Sequence, residues 1–523
     1  MSAPGTVAEN RAVVVIGGGV GGLSAAIQAA ALGCRVTLLE RGARVGGKLR
    51  ELEVAGRAID SGPTVMTMRW AFDQLFAAAS KRLADYVDLI PLEVLARHAW
   101  PDGGRLDLFA EIEATASAIT SFAGPDDAAG YRRFCAHTER IYAIVEQPFL
   151  RSERPSVSSV VTAKGLRGAL EFAGIDWHRS MWRALSSFFP DTRLRQLFGR
   201  YATYYGSSPF RCPATLNLIA HVERAGVWRV GGGMYRLAEA LAQVGTELGI
   251  ELRTDCEVGR VIVADGRAVA VELVSGERID ADAVVVNAAP QALDEGRLGA
   301  ELRGCVNYER GAARSLSAVT WSACARTRGF PLAHHNVFFS ADYPAEFRSL
   351  ERGELIDQPT IYVCAQDRLD AVEPLDATPD WSEPERLLIL VNAPARGDED
   401  PWTNAELDAL ERRTFAALRA AGLELEMIEQ VRTSPTQFER LFPATGGALY
   451  GFATHAMMAP FRRPRARANI ERLYLAGGGA HPGAGIPMVC LSGQIAGRAA
   501  AEDLGIGLGM NSGANPSAGE RAR

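Results

Sequence analysis

A short apolar run that leads directly into a glycine-rich turn lies near the start of the chain. Residues 12–16 are apolar and mostly β-branched, and Gly17, Gly19 and Gly22 follow with the spacing G-x-G-x-x-G. The first glycine permits a tight turn, the second lets the backbone approach a pyrophosphate, and the third lets the helix predicted over 22–33 pack closely on the strand. Because free amides at the start of a helix attract anions, the pattern predicts a phosphate-binding βαβ unit.

A carboxylate ends the second predicted strand of this unit. Residues 35–39 form an apolar run that leads to Glu40, 18 residues after Gly22. An acid at about this spacing accepts hydrogen bonds from ribose hydroxyls and repels a 2′-phosphate. The predicted ligand is therefore FAD or NAD rather than NADP.

The same region also has the length of a membrane span. Residues 12–33 are 22 consecutive uncharged residues, and a transmembrane helix needs about 20. Five glycines within the six positions 17–22 argue against such a helix, and the first ten residues lack a basic segment and contain Glu9. We therefore predict an unprocessed, cytoplasmic chain with no signal peptide and no transmembrane helix.

Composition excludes several classes of site. The 523 residues are 47% hydrophobic and carry a net charge of −6, which is enough chain for about three domain-sized units and argues against a nucleic-acid partner. The eight cysteines are never closer than 19 residues, so no Cys-x-x-Cys pair exists for zinc, iron–sulfur or thiol redox chemistry. No metal site is predicted.

A second glycine turn distinguishes flavin from nicotinamide as the ligand. Gly46 and Gly47 precede Lys48, and this turn brings the backbone and the lysine to the far side of the diphosphate. A strand over 59–64 then ends in Gly62-Pro63-Thr64, a turn that could reach the isoalloxazine. The alternative is that both are plain hairpin turns.

Further strands return to the nucleotide after an insertion. Apolar runs at 258–263, 268–274 and 283–288 are separated by Asp-Gly and Ser-Gly turns. Backbone groups of Val258 would pair with adenine, and Asn287 would bring the chain back to the pyrophosphate.

The closing motif repeats the strand–glycine turn–helix pattern. A strand over 473–476 and glycines at 477–479 precede His481 and a helix that starts near Pro487. The amides at the start of that helix would face the flavin N1–C2=O edge, where negative charge develops on reduction. His481 either contacts flavin or substrate or is a turn residue.

Taken together, these segments resemble the bacterial phytoene desaturase family of FAD-dependent carotenoid dehydrogenases over roughly residues 12–505. The similarity rests on the V-V-I-G-G-G-V-G-G-L-S-A-A, V-G-G-K, D-S-G-P-T-V, G-G-G-M and L-A-G-G-G-A-H-P-G-A-G-I-P segments. Within that family, residues 334–340 and 360–368 are most similar to the 1-hydroxycarotenoid 3,4-desaturases. Ala480 stands where many members carry a threonine, so a hydroxyl contact to the cofactor is lost there.

The resemblance implies an α/β fold with a Rossmann-like FAD-binding domain of the amine-oxidase and phytoene-desaturase type, an interleaved α+β substrate domain and a helical membrane-facing insertion. We expect a discontinuous FAD-binding domain over 1–75, 215–295 and 435–505. A mostly helical insertion over 76–214 and a substrate-binding domain over 296–434, with strands near 317–324, 336–340, 360–365 and 387–392, complete the fold. Residues 506–523 are predicted to be disordered.

The predicted FAD-binding residues come from every one of the glycine segments and their flanks. They are Gly17, Gly19, Gly21, Gly22, Glu40, Arg41, Gly47, Lys48, Gly62, Pro63, Thr64, Val258, Asn287, Gly478, Gly479, Ile486, Pro487 and Met488.

The implied reaction removes two hydrogens from the C-3,4 bond of a 1-hydroxycarotenoid such as 1-hydroxyneurosporene, with hydride passing to flavin N5 and a proton lost. Quinone or oxygen would reoxidise the flavin, and no catalytic residue is assigned. The alternatives are another FAD-dependent carotene desaturase or isomerase of the family, or a prenyl-lipid-binding module without catalysis.

A basic, aromatic segment suggests how a water-insoluble substrate could be reached. Residues 151–211 hold ten basic and four acidic side chains, a net charge of +6. They are interleaved with aromatics that include the nine residues Trp177, Trp182, Phe188, Phe189, Phe198, Tyr201, Tyr204, Tyr205 and Phe210. Such a surface could rest on the inner face of a membrane as a peripheral contact. The alternative is a set of solvated basic faces with the aromatics in the core.

Overall fold

The computed structural model describes residues 11–153, 174–308, 311–368, 373–455 and 459–506. The α-helices in these ranges are Val20–Ala31, Trp70–Ala78, Ile112–Ala123, Pro125–Val145, Met181–Leu185, Thr192–Gly199, Leu218–Arg224, Arg236–Glu247, Pro290–Asp294, Tyr343–Glu351, Asn404–Ala420, Pro435–Leu441 and Ile486–Asp503. Shorter 3₁₀ turns are Leu83–Asp85, Arg200–Tyr205, Ala214–Asn217, Ala300–Leu302 and Ala459–Arg462, and Glu146–Leu150 forms a π-turn.

A five-stranded parallel sheet unites the start, middle and end of the chain. In spatial order its strands are Leu473–Leu475, Ala283–Val286, Ala12–Ile16, Arg35–Leu39 and Glu251–Arg253. The central strands are buried on both faces, which explains their unbroken Val, Ile and Leu runs. The predicted strand–turn–helix–strand unit is confirmed, although its helix is Val20–Ala31 rather than 22–33.

The first and last long helices pack backbone against backbone beside this sheet. A Cβ added at Gly493 would lie 2.2 Å from the Gly21 carbonyl oxygen, and one added at Gly497 would lie 2.4 Å from the Ala25 carbonyl oxygen. Only glycine therefore permits this separation of the two helices. The contact draws both ends of the polypeptide into one layer.

A seven-stranded sheet forms the second layer. Its order is Leu423–Thr433, Ser317–Gly329, Asp380–Ala393, Ile361–Ala365, His335–Phe338, Val94–Ala99 and Arg105–Phe109. The four strands predicted within 296–434 are present, with different ends. The last two strands come from 76–214, where mainly helix was expected.

Buried charge explains why one of those two strands was missed. Arg97 is 1% exposed, and its guanidinium pairs with the Asp107 carboxylate on the neighbouring strand at 2.7 Å. A buried, paired arginine breaks the apolar alternation from which a strand is read. The proposed domain limits themselves stay a prediction.

Smaller sheets connect these layers. Strands Val258–Ala264, Arg267–Leu273 and Arg278–Asp280 form an antiparallel sheet, as the Asp-Gly and Ser-Gly turns predicted for the first two. Two further antiparallel strand pairs are Glu51–Val54 with Arg57–Asp60, and Leu89–Pro91 with Trp228–Val230.

The aromatic side chains of 151–211 face inward. None of the nine is exposed, and the rings of Phe189 and Phe198 stack at 4.7 Å beside Phe134. Three of the nine are buried and six are half-buried, and Phe188 also packs on Phe134 of helix Pro125–Val145. This packing favours the core alternative.

Some predictions fall on other parts of the chain. The first ten residues, on which the signal-peptide argument rests, lie outside the described residues, as do 154–173 of the basic segment and 507–523 of the predicted disordered tail. Among the helices that are described, none combines the length and apolarity needed to cross a bilayer.

Candidate active site

The glycine turns from the two ends of the chain meet at Asn287. Its side-chain amide donates to the Gly17 carbonyl oxygen at 3.2 Å. A Cβ at Gly19 would lie 2.9 Å from Asn287 Nδ2, and one at Gly477 would lie 2.5 Å from Asn287 Oδ1. Gly21 and Gly477 are also in backbone contact, since a Cβ at Gly21 would lie 2.9 Å from the Gly477 Cα. No side chain larger than hydrogen fits at these positions.

The second glycine pair covers the first turn. The Gly46 amide donates to the Gly18 carbonyl oxygen at 2.8 Å, and a Cβ at Gly47 would lie 3.1 Å from the Gly19 Cα. Gly46 and Gly47 have φ of 112° and 61°, a conformation that favours glycine. The structure thus brings the two turns together, in the way that a diphosphate held from both sides requires.

The first backbone amides of helix Val20–Ala31 have no side-chain cap and can bind an anion. Gly19 is its N-cap and provides no side-chain cap, and the first turn contains no acidic residue. Gly22 closes the turn tightly, because a Cβ there would lie 1.9 Å from the Gly17 carbonyl oxygen. This geometry fits a phosphate group bound by backbone N–H groups.

Glu40 is fixed at the edge of this turn by two backbone amides. Its carboxylate accepts from the Gly18 and Gly42 amides, each at 2.7 Å. Both oxygens keep further acceptor capacity for ribose hydroxyls. The Cys256 amide donates to the Glu40 carbonyl oxygen at 2.9 Å, so the chain entering buried Val258 passes beside the carboxylate.

The two predicted basic ligands, Lys48 and Arg41, both donate hydrogen bonds to backbone carbonyl oxygens. Lys48 Nζ donates to the Leu449 carbonyl oxygen at 2.8 Å and to that of Ala448 at 3.4 Å. Burial lowers the pKa of Lys48 to about 8. Arg41, which is exposed, donates to the Arg440 carbonyl oxygen at 3.3 Å. Sequence spacing locates such side chains near the nucleotide but does not reveal these partners.

The turn at Gly62-Pro63-Thr64 connects the cofactor half to the seven-stranded sheet. A Cβ at Gly62 would lie 2.0 Å from the Lys48 carbonyl oxygen, so the turn packs on the second glycine segment, while Pro63 is exposed. The buried Thr64 hydroxyl is hydrogen-bonded to the Tyr362 hydroxyl at 2.6 Å.

The closing motif forms as predicted, with its helix beginning at Ile486. The Gly478 carbonyl oxygen accepts from Arg463 at 2.9 Å. A Cβ at Gly479 would lie 2.4 Å from the ring of Pro290. At the helix start Ile486, Pro487 and Met488 are all buried. Their contact with the flavin stays a prediction.

His481 lies buried in the closing turn. Its Nε2 lies 2.9 Å from the Phe149 carbonyl oxygen, and its ring is edge-on to the Phe149 ring at 5.0 Å. Burial lowers the pKa of His481 to about 4, so the ring is neutral near pH 7. A contact of His481 with flavin or substrate stays a prediction.

A small cavity of about 10 Å³, which is room for one water-sized group, lies between the Thr64 turn and the helical insertion. Part of its wall is apolar, formed by Val65, Leu95, Leu197 and Val337. Ala96 and His98 also line it, and the remaining six residues are what we call the polar cluster, made of Arg200, Tyr201, Tyr204, Glu223, His335 and Tyr362. None of these six was predicted as a site residue, although segments 334–340 and 360–368, which contain His335 and Tyr362, carry the similarity to the 3,4-desaturases.

One group near the cavity could in principle ligate a metal. Ligand atoms of His334, His335 and Cys364 lie within 4.8 Å of one another. However, His335 Nδ1 is bonded to the Tyr362 hydroxyl at 2.7 Å, and burial raises the pKa of the Cys364 thiol, which disfavours the thiolate a metal needs. The expectation of no metal stays a prediction.

Known proteins share both the sequence and the fold. Residues 20–501 match the flavin containing amine oxidoreductase family. The chain is 48% identical to a hydroxyneurosporene desaturase of Rubrivivax gelatinosus, with 92% of each chain covered, and 42% identical to one of Rhodobacter capsulatus, with 94% and 98% covered.

A solved structure extends this comparison to the fold. Putrescine oxidase bound to putrescine has a TM-score of 0.59 at 14% identity, with 95% of this chain and 99% of that chain covered. This likeness concerns the fold alone and agrees with the predicted α/β flavoprotein architecture. The chain belongs to the flavin containing amine oxidoreductase family, in the branch of the hydroxyneurosporene desaturases, and its cofactor is FAD.

Proposed function

We propose that the protein is a FAD-dependent carotenoid desaturase that removes two hydrogens from the C-3,4 bond of a 1-hydroxycarotenoid such as 1-hydroxyneurosporene. The near full-length identity to the desaturases of Rubrivivax and Rhodobacter carries this proposal. The glycine cradle around Asn287 supports it, because its free backbone amides and close glycine contacts suit the FAD that this reaction needs.

FAD, when bound, supplies the hydride acceptor. The chain contributes positioning: the glycine cradle fixes the cofactor through backbone amides, and the apolar cavity wall excludes water and orients one carbon–carbon bond. Glu223 is the only carboxylate among the described residues that line the cavity. Two phenols already donate to it, so both of its oxygens are occupied. We therefore propose that the proton is lost without a dedicated carboxylate base.

The test is turnover of a 1-hydroxycarotene in lipid by FAD-loaded protein, followed by chromatography and absorbance. One more conjugated double bond and a red-shifted spectrum are expected. An isomerase would change elution without lengthening the polyene, and a binding module would retain the substrate unchanged, so either result refutes desaturation. A Gly17→Val variant is the matched negative control, since its Cβ would lie 2.8 Å from the Asn287 carbonyl oxygen and block the cradle.

The electron acceptor is proposed to be quinone or oxygen. Anaerobic turnover that stops after one equivalent and resumes on addition of a quinone would favour quinone. Turnover that resumes only with air would favour oxygen.

We also propose that the basic segment 151–211 docks the enzyme peripherally on an anionic membrane surface, on the cytoplasmic side. Its net charge of +6 supports this docking. Its inward-facing aromatics do not contribute to the argument. Flotation with acidic liposomes tests it: binding is expected at low salt and should be lost in high salt. Failure to float at low salt with acidic liposomes refutes docking.

A further inference from the structure

The polar cluster is more polar than a hydrocarbon substrate requires. Arg200 lines the cavity, and its guanidinium lies 5.7 Å and 5.4 Å from the ring centroids of Tyr204 and Tyr362. Within the described residues no carboxylate lies in ion-pairing distance of it. Tyr204 is also a side-chain hydrogen-bond partner of Arg200, and the guanidinium, with its five N–H donors, keeps others for an acceptor inside the cavity.

Glu223 holds a second side of the cluster. It is 4% exposed and accepts hydrogen bonds from the Tyr204 hydroxyl at 2.9 Å and from the Tyr201 hydroxyl. Burial raises its pKa. Because both carboxylate oxygens have phenol partners, Glu223 fixes the two rings, and the Tyr204 ring in turn lies under the Arg200 guanidinium.

His335 holds the third side. The residue is 3% exposed, and the Tyr362 hydroxyl occupies its Nδ1 at 2.7 Å. In the described part of the chain its buried Nε2 has no hydrogen-bond partner. A buried polar atom without a partner costs free energy unless a ligand satisfies it. A hydrocarbon offers no such partner, but an oxygen substituent does.

We propose that the polar cluster binds the oxygen substituent at the end of an otherwise hydrocarbon polyene, with Arg200 donating to that oxygen and His335 Nε2 as a second polar contact. This inference rests on the proposed function and names the residues that select the end group. The selection lies in the cavity wall rather than in the flavin cradle.

The connection of the cluster to the Thr64 turn fits this assignment. Tyr362 bonds both His335 and Thr64, and Thr64 belongs to the turn predicted to reach the isoalloxazine. In a 1-hydroxy substrate the oxygen is attached two carbons before the C-3,4 bond. The group that holds the oxygen must therefore lie close to the reacting bond. The hydrogen bonds of Tyr362 connect the polar cluster to the turn predicted to reach the flavin.

The test compares kcat/KM for a 1-hydroxy polyene and for its parent without the oxygen, both in the same lipid and with the same FAD-loaded preparation. Wild type should prefer the 1-hydroxy substrate. Arg200→Met should reduce that preference about ten- to hundredfold, the size expected for a hydrogen bond to a charged group, while turnover of the parent changes little. Arg200→Lys should recover part of the preference, because it keeps a donor and the charge.

Arg278→Met is the matched control, since Arg278 is exposed on the small antiparallel sheet and its loss should leave the preference unchanged. If Arg200→Met does not retain FAD, the preference for the 1-hydroxy substrate is measured with Arg200→Lys and His335→Leu instead. Equal use of both substrates by wild type overturns the inference, and so does an equal loss on both in the Arg200 and His335 variants. Absence of a red-shifted product from either substrate with wild type refutes the proposed function instead.

Glu223→Gln separates binding from proton removal. The amide keeps the shape and one acceptor for the phenols, so turnover of the parent polyene should survive. Complete loss of turnover with both substrates, in a variant that retains FAD, would identify Glu223 as a base and overturn its assignment to the polar cluster as a support.

Discussion

Gly493→Ala tests whether the helices at the two ends of the chain must touch for the flavin cradle to form. A Cβ at position 493 would lie 2.2 Å from the Gly21 carbonyl oxygen and 2.7 Å from Ser24 Cβ. Unstrained contacts need more than about 3 Å, so helices Val20–Ala31 and Ile486–Asp503 must separate by roughly 1 Å. Gly21 also touches Gly477, and the separation would therefore open the cradle.

The expected magnitude follows from two opposing effects. Overpacking of this kind costs about 1–3 kcal/mol, whereas replacing glycine by alanine inside a helix gains about 1 kcal/mol. We expect Gly493→Ala to lower the free energy of unfolding by up to about 2 kcal/mol and to weaken FAD binding. The assay is the denaturant midpoint of the FAD-loaded protein, followed by the rise in flavin fluorescence on release.

Gly245→Ala provides the matched control. Gly245 lies in helix Arg236–Glu247, and a Cβ there would meet Ile250 Cδ1 at 3.4 Å, an ordinary contact. The same substitution should therefore stabilise the protein by up to about 1 kcal/mol. If Gly493→Ala raises the midpoint as Gly245→Ala does, the close helix contact is not what holds the cradle together.

Three further substitutions probe the cofactor site. Glu40→Gln should weaken FAD binding about tenfold, because a charged acceptor of two amides becomes neutral; Glu53→Gln on the exposed hairpin is the control, and equal affinities for both would contradict the assignment. Asn287→Ala should cost a comparable factor in FAD affinity, since both glycine turns lose their shared partner, and an unchanged dissociation constant would exclude that role. Burial lowers the pKa of Lys48 to about 8, and a nearby diphosphate favours the charged form, so FAD binding takes up a proton above that pH. The affinity should stay level below pH 8 and fall as the pH rises above it, and a Lys48→Met variant that keeps this pH dependence would show that another group titrates.

The nucleotide half of the fold could be predicted from short stretches of sequence. The apolar run before Gly17 forms a strand because it is buried on both faces, and the helix after it begins where the glycines end. The same reasoning located the final helix within one residue of Pro487. These signals are local, since a strand, a tight turn and a helix start depend on neighbouring residues, and the sheet then brings the two ends together.

Side-chain partners that lie far apart in the sequence could not be predicted from local patterns. Lys48 is predicted to lie beside the diphosphate, and its ammonium also donates to the Leu449 carbonyl oxygen, a partner 401 positions further along the chain. Strand Val94–Ala99 was missed because Arg97 is satisfied by Asp107. Each of these pairings depends on tertiary packing, which no local pattern encodes.

The polar cluster shows the same limit at the site that matters most for specificity. Arg200 and Tyr204 come from a 3₁₀ turn, Glu223 from a short helix, and His335 and Tyr362 from two adjacent strands. Taken singly, each is an ordinary polar residue; only the fold shows that they share one cavity. Buried polar groups are costly unless they are satisfied, and positions that break the rule of an apolar core are commonly functional ones. The cost of burying these groups is therefore the physical reason to expect that substrate selection resides in the cavity wall, separate from the glycine cradle that the sequence reveals.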